Sequence, residues 1–310
     1  MNERTKIIIR LLTTHIFLVI VLIGLSFIPA IHSPLWLAIC ESVLLITFFT
    51  GYWEFFGKSF KWMYSLSLTV IIVALFIWLT KEKHTMLNSY TLYILCLLQV
   101  FLLYHLVKII ITIVEKTEPA FEITFPFKNG SYLITDGGNS KISKLMNYHY
   151  YSAVHKRNKT NLSMLYATDM VKLSSSPAKF LPLRNEDYPI FGEAVYSPMD
   201  GTVFKIVDGI ADNVPFSGNY PYNTGNTIVI KQNDYYFLLG HLQCNSMRVK
   251  EGDPIQKGQL LAAIGNSGWT ERPHLHMQLI KSKDENYWYG KGVAIKFKNK
   301  NLYKNRIIRL

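Results

Sequence analysis

The segment Pro273-His274-Leu275-His276-Met277-Gln278-Leu279 carries two imidazoles two residues apart. Side chains at that spacing in a strand share a face. His274 and His276 therefore point together, while Leu275, Met277 and Leu279 enter the core. Imidazoles so placed can share a metal ion, or one can hold the metal while its neighbour moves protons. A purely structural pair has the same spacing, so the segment gains meaning only with others. Gly240-His241-Leu242 ends an apolar run, Tyr166-Ala167-Thr168-Asp169-Met170 sets an acid inside another, and Asn147-Tyr148-His149-Tyr150 adds a further imidazole. An unpartnered buried carboxylate is expensive, so Asp169 calls for a cation, a hydrogen-bond network or a metal. Of the five histidines beyond residue 116, four fall in these segments, and the fifth, His155, lies close to one of them.

Short strands must position these side chains. Runs rich in β-branched and aromatic residues at 167–173, 194–196, 201–207, 227–231, 235–239, 260–264 and 274–280 read as strands. Turn signals punctuate them at Asp200-Gly201, Thr224-Gly225-Asn226 and Gly265-Asn266-Ser267-Gly268. Many short strands with such turns predict an all-β domain. We assign it to 147–310, with 117–146 as a polar linker and the start of the soluble part.

Residues 1–116 read differently. Apolar segments at 9–30, 34–52, 63–80 and 89–114 are long enough for membrane-crossing helices, which take roughly 17–25 residues each. Pro29 and Pro34 mark the first turn, and Trp53, Trp62 and Trp78 suit an interfacial belt. The expected fold class is thus a multi-pass α-helical membrane region of four spans, in contact with lipid, followed by the all-β domain. A cleaved signal peptide does not account for three further apolar segments after the first. Arg4, Lys6, Arg10, Lys58 and Lys61 mark the N-terminus and the second loop as cytoplasmic. With four spans, that bias leaves the β domain in the cytoplasm as well.

The charge divides as +4 before residue 117 and +8 after it, giving the net +12. The Lys and Arg residues of the second half are scattered among Asn, Tyr and Gly, with no nucleic-acid-binding motif. Lipid headgroups or an anionic envelope polymer are better partners for such a surface than nucleic acid. Cys40 and Cys96 lie in apolar segments and Cys244 is alone in the second half, so that half has no disulfide of its own.

Taken in order, the motifs from Asn147 to Leu279 resemble the lysostaphin-type (LytM-type) zinc endopeptidases of bacterial cell walls. The resemblance rests on Phe191-Gly192-Glu193-Ala194-Val195-Tyr196-Ser197-Pro198-Met199-Asp200-Gly201-Thr202-Val203 and then Gly252-Asp253-Pro254-Ile255-Gln256-Lys257-Gly258-Gln259. Ile264-Gly265-Asn266-Ser267-Gly268 and Pro273-His274-Leu275-His276 complete it. It implies a β-fold of the duplicated-hybrid-motif type and one Zn2+ per peptidase domain. Position by position, Asp169 and His276 resemble the family's zinc ligands, and His241 and His274 the pair flanking the catalytic water. One position departs: Leu165 stands where the common His-x-x-x-Asp pattern has histidine. A branch of the family instead has Asn-x-His upstream of Tyr-Ala-x-Asp, matched by Asn147–His149 and Tyr166–Asp169. The resemblance therefore makes His149 the third ligand, with His155 in reserve.

The implied activity is hydrolysis of a peptide bond in peptidoglycan stem peptides or cross-bridges, by a domain outside the cytoplasm and against the loop charges. Two alternatives stand beside it. One is an inactive module that binds wall material or activates a partner hydrolase, and the other is a zinc peptidase with a non-wall peptide substrate. The aromatic residues of 220–222 and 287–289 are candidates for lining a peptide groove. Protein partners and the bond cleaved are left open.

Overall fold

The computed structural model describes residues 2–26, 33–56, 61–62, 64–66, 68–70, 73, 77, 88–116, 119–152, 162–174, 179–218, 220 and 224–310. These form two compact units, Thr5–Ile111 and Thr112–Leu310, the latter joined by Met1–Arg4.

The first unit is helical. Helix α1, Glu3–Leu25, is interrupted by a wide π turn at Thr13–Phe17, where the Thr13 and Thr14 hydroxyls donate back to the Ile9 and Arg10 carbonyls. Helix α2, Pro34–Thr50, starts where the Ser33 hydroxyl accepts from the Trp36 N–H and proline occupies the first turn. Helix α3 spans Ser89–Val114. Leu22, Trp36, Ile39, Cys40, Leu95 and Leu102 form the buried seam of this unit. By length and composition α1 and α3 suffice to cross a membrane, whereas α2 has 17 residues, about 25 Å of helix against a hydrocarbon core of about 30 Å. The expected third span, 63–80, lies largely outside the described residues. What is described is therefore a set of N-terminal helices, of which two reach spanning length.

The second unit is β-rich rather than strictly all-β, because short helical turns interrupt it. Its strands are β1 Ala120–Glu122, β2 Ser131–Asp136, β3 Thr168–Lys172, β4 Ala194–Tyr196, β5 Gly201–Val207, β6 Asn226–Gln232 and β7 Tyr235–Leu242. There follow β8 Pro254–Ile255, β9 Leu260–Ala263, β10 Leu275–Lys281, β11 Lys291–Phe297, β12 Lys300–Asn301 and β13 Ile307–Arg309. The main sheet runs β13-β2-β3-β10-β7-β6-β5-β8, with β11 joining β10 to β1 and β12, and β4 pairs with β9 separately. Segment 117–146 thus contributes two strands to this unit.

Alternation sets the core. Leu275, Met277 and Leu279 of β10 join Phe237, Leu239, Ile228, Ile230, Met170 and Ile134 in one buried cluster. Each such side chain contributes about 1.5–3 kcal/mol by leaving water. Strand β10 is the hub. One of its edges pairs with β3 near its start and with β11 near its end, while the other edge pairs with β7 throughout. Changing the register by one residue would turn every site-facing side chain of β10 into the core.

Candidate metal and proton-transfer site

Sheet register brings the chemistry together. His276 on β10 stands opposite Asp169 on β3 and opposite Gly240 on β7. Directly opposite residues share a face, so Asp169 and His276 project to the same side. The next residue of a regular β7 would point away from them. His241 does not, because its backbone is left-handed with φ 59°. That conformation is uncommon for a side chain larger than glycine and costs on the order of 1 kcal/mol. It swings the imidazole back, leaving its ring centroid 5.7 Å from that of His276 and 4.7 Å from that of His274.

His149 arrives from a different element, the short helix α4, His149–Ser152. Its ring centroid lies 5.0 Å from that of His276. Asn147 anchors it: the fully buried amide donates to the carbonyls of Gly138 (2.7 Å) and Ala167 (2.8 Å). Those two bonds fix the amide's orientation, so its oxygen accepts from the His149 backbone N–H (3.1 Å) and ring Nδ1 (2.8 Å).

Asp169 collects the imidazoles. Its Oδ1 is 2.8 Å from His276 Nδ1, and its Oδ2 is 3.2 Å from His149 Nε2 and 3.5 Å from His274 Nε2. The ligand atoms of His149, Asp169 and His276 lie within 4.8 Å of one another. The fourth predicted imidazole, His241, completes the face. His155, the reserve ligand, lies outside the described residues.

Hydrogen bonding on the far side of each ring determines what faces the carboxylate. His149 Nδ1 donates to Asn147 Oδ1, His241 Nδ1 to the Ser267 carbonyl (2.8 Å), and His274 Nδ1 to the Arg272 carbonyl (2.9 Å). His276 Nε2 faces Gln278 Oε1 at 3.2 Å. With those protons directed outward, neutral rings present bare nitrogen lone pairs to an anionic carboxylate. Such an arrangement needs positive charge among the nitrogens and the acid. Tetrahedral zinc with nitrogen and oxygen ligands at about 2.0–2.2 Å has ligand atoms roughly 3.3–3.6 Å apart; the 3.2 Å separation is close to that and the 2.8 Å one is shorter. Outward N–H bonds to carbonyl or amide oxygen are also the usual support for metal-ligating histidine. The donor set therefore fits a zinc ion.

Without a metal, charge on the imidazoles supplies the positive charge that Asp169 needs. Burial pulls the Asp169 carboxyl upward, but the neighbouring His149 and His274 imidazoles outweigh it and hold the acid well below the usual carboxylate range. Burial depresses His149, and the Asp169 charge more than reverses that, raising the ring above its ordinary value. His241 is held well below the imidazole range by burial and then by the charges of His274 and His276.

The loop between β9 and β10 supplies the acceptors for His241 and His274, and is itself pinned. Asn213 Nδ2 donates to the Gly268 (2.7 Å) and Thr270 (3.3 Å) carbonyls. Ser267 Oγ accepts from the Asn226 N–H (2.9 Å) and donates to the Leu242 carbonyl (2.7 Å). Asn213 carries no sequence signal of its own. Gln278 does, since it continues the two-residue period of His274 and His276 onto the same face. In the candidate groove stretch Tyr287–Tyr289, Tyr287 packs on Tyr236 with centroids 5.4 Å apart, in a cluster with Phe204, Leu238 and Ile280, whereas Tyr289 is exposed. Of 220–222, only Tyr220 is described.

The chain is similar to known proteins over part of its length. The sequence profile of the family described as Peptidase family M23 matches residues 187–289. Lipoprotein NlpD of Yersinia enterocolitica is 35% identical over 85 residues, 27% of this chain and 82% of that protein. Peptidoglycan DD-endopeptidase ShyA of Vibrio cholerae is 31% identical over 104 residues, 34% of this chain and 23% of that protein. The chain thus spans about a quarter of the length of the first curated relative it matches. A crystal structure of a zinc-containing peptidase from Vibrio cholerae aligns with 24% identity and a TM-score of 0.33, covering 56% of this chain and 39% of that one.

Proposed function

The chain belongs to peptidase family M23, and from that premise we propose that it is a membrane-anchored zinc metalloendopeptidase that cleaves a peptide bond in bacterial peptidoglycan. The observation that carries the proposal is the convergence of His149 Nε2, Asp169 and His276 Nδ1, with the other nitrogen of each ring facing a side-chain amide oxygen. These three residues would hold the zinc, which when bound would supply Lewis-acid chemistry and a water of lowered pKa near neutral pH.

The chain's own residues manage the protons. His241 and His274 stand side by side, each with Nδ1–H committed to a backbone carbonyl, so Nε2 is the basic nitrogen of each, that of His274 lying 3.5 Å from Asp169 Oδ2. One ring accepts the proton of the attacking water at Nε2 and, once charged, passes that same proton to the amine that leaves, directly or through Nε2 of its neighbour. The Ser267 and Arg272 carbonyls hold both rings in the tautomer this exchange requires. In the metal-free site Asp169 is held below the usual carboxylate range by its imidazole neighbours, which leaves it an anionic ligand.

The wall substrate is supported by the printed activity of the Vibrio cholerae relative, a peptidoglycan DD-endopeptidase. An inactive wall-binding or hydrolase-activating module fits less well, since it has no use for a complete ligand set with both flanking histidines. The helices anchor the domain in the bacterial membrane as a multi-pass bundle with the peptidase outside the cytoplasm. Support for the anchoring comes from α1 and α3.

The test is digestion of purified peptidoglycan by the full-length chain in detergent, followed by separation of the released peptides. New amino termini that appear with the parent and not with His241→Ala are expected. An unaltered wall, alongside cleavage of an unrelated peptide by the same preparation, would transfer the site to another substrate.

A further inference from the structure

Gln278 stands two residues beyond His276 on the same face of β10 and is fully buried. Its Oε1 lies 3.2 Å from His276 Nε2, while its own Nε2 is buried without a hydrogen-bond partner. A buried amide donor left unsatisfied costs about 1–3 kcal/mol, so the group calls for an explanation.

The explanation lies in the last torsion of glutamine, which is broad and roughly two-fold. Turning the amide over exchanges its oxygen for its NH2 in nearly the same place. The two orientations suit two different tautomers of His276. With oxygen toward the ring, His276 Nε2–H donates to Gln278 and the lone pair of Nδ1 faces Asp169, ready for a cation. With NH2 toward the ring, Gln278 donates to Nε2 and His276 Nδ1–H donates to Asp169 Oδ1 over the 2.8 Å already present. In the second case the metal-free pair is satisfied without a cation, and the amide donor gains a partner while its oxygen takes the unpartnered place.

Resting on the zinc reading above, we infer that Gln278 is a positioning residue whose amide turns over with metal occupancy, accepting from His276 in the zinc-loaded site and donating to it in the empty one. A carboxylate at this position only accepts and favours the metal-ready tautomer. A thioether of similar length does neither.

The experiment uses the full-length chain in detergent, with zinc affinity measured by chelator competition for the parent, Gln278→Glu and Gln278→Met. Nitrogen-15 spectra of the histidine rings are recorded with and without zinc, the His276 signals being identified by their absence in His276→Asn. Gln278→Met should bind zinc about 10–100-fold more weakly, and Gln278→Glu at least as tightly as the parent. In the parent, the His276 proton should lie on Nδ1 without zinc and on Nε2 with it. That exchange is a signature that a merely space-filling role would not produce. Equal affinity in parent and Gln278→Met, or the same tautomer in both states of the parent, overturns the inference while leaving the zinc site standing. A parent that takes up no zinc overturns the proposed function and this inference together.

Discussion

Asn147→Ala separates what holds the fold from what arms the site. The side chain is fully buried and makes four hydrogen bonds: two donated, to Gly138 and Ala167, and two accepted, from the backbone and ring of His149. Removing it strands the carbonyl of Ala167, itself fully buried, and weakens the environment of the half-buried Gly138 carbonyl. A stranded buried group costs about 1–3 kcal/mol, so the two together give roughly 2–4 kcal/mol. For a unit of this size, that corresponds to a fall of roughly 5–15 °C in melting temperature. Independently, His149 loses the acceptor that fixes its tautomer, and zinc affinity should fall about 10–100-fold. Asn147→Asp keeps the acceptor and loses both donors, so it should recover zinc affinity further than it recovers melting temperature. Thermal unfolding of the metal-free chain and chelator competition read the two effects separately. An Asn147→Ala chain that melts with the parent and binds zinc equally well would refute the reasoning at both levels.

Three further outcomes follow from the geometry. His241→Ala should retain zinc, because its ring lies outside the three-residue ligand set, and should lose about 10²–10⁴ in turnover, read by a peptide-hydrolysis assay beside metal analysis. Gly225 has φ 66°, and a Cβ there would collide with the Ser267 carbonyl that accepts from His241; Gly225→Ala should therefore keep zinc and lose up to about 10²-fold in kcat through a misplaced ring. His149 must be neutral to bind metal, and its pKa is raised above 6.5 by Asp169. Zinc affinity should thus be complete at higher pH and decline as pH falls, from the alkaline side of 6.5, by about tenfold per unit once that proton competes. Asp169, held low, adds no loss until much more acid conditions. Competition titrations between pH 5 and 9 would contradict this account if affinity stayed flat.

Much of the candidate site's geometry was legible because it follows the period of a strand. The spacing of His274 and His276 set their shared face, and the acid among apolar neighbours singled out Asp169. Strands β3 to β7, β9 and β10 lie within a few residues of the runs that suggested them. Other parts carried no such signal. Strand β2, Ser131–Asp136, is buried on both faces over its centre, so it lacks the alternation that marks a strand with one wet side. Strand β1 has three residues and exists through parallel pairing with β11, far along the chain. The face of His241 depends on a positive φ that histidine does not advertise. In the helical half, composition suggested four spans, while helix length in the described residues supports two. Helix α2, at 17 residues, sits at the lower edge of the spanning range.

The central claim is that His149, Asp169 and His276 together hold one zinc ion. Its most direct test is the metal content of the purified full-length chain, beside His149→Ala, Asp169→Ala and His276→Ala variants whose circular dichroism matches the parent. The account predicts about one zinc per parent chain and a large loss in each variant. A folded parent without zinc, or a His149→Ala chain with as much zinc as the parent, would contradict it.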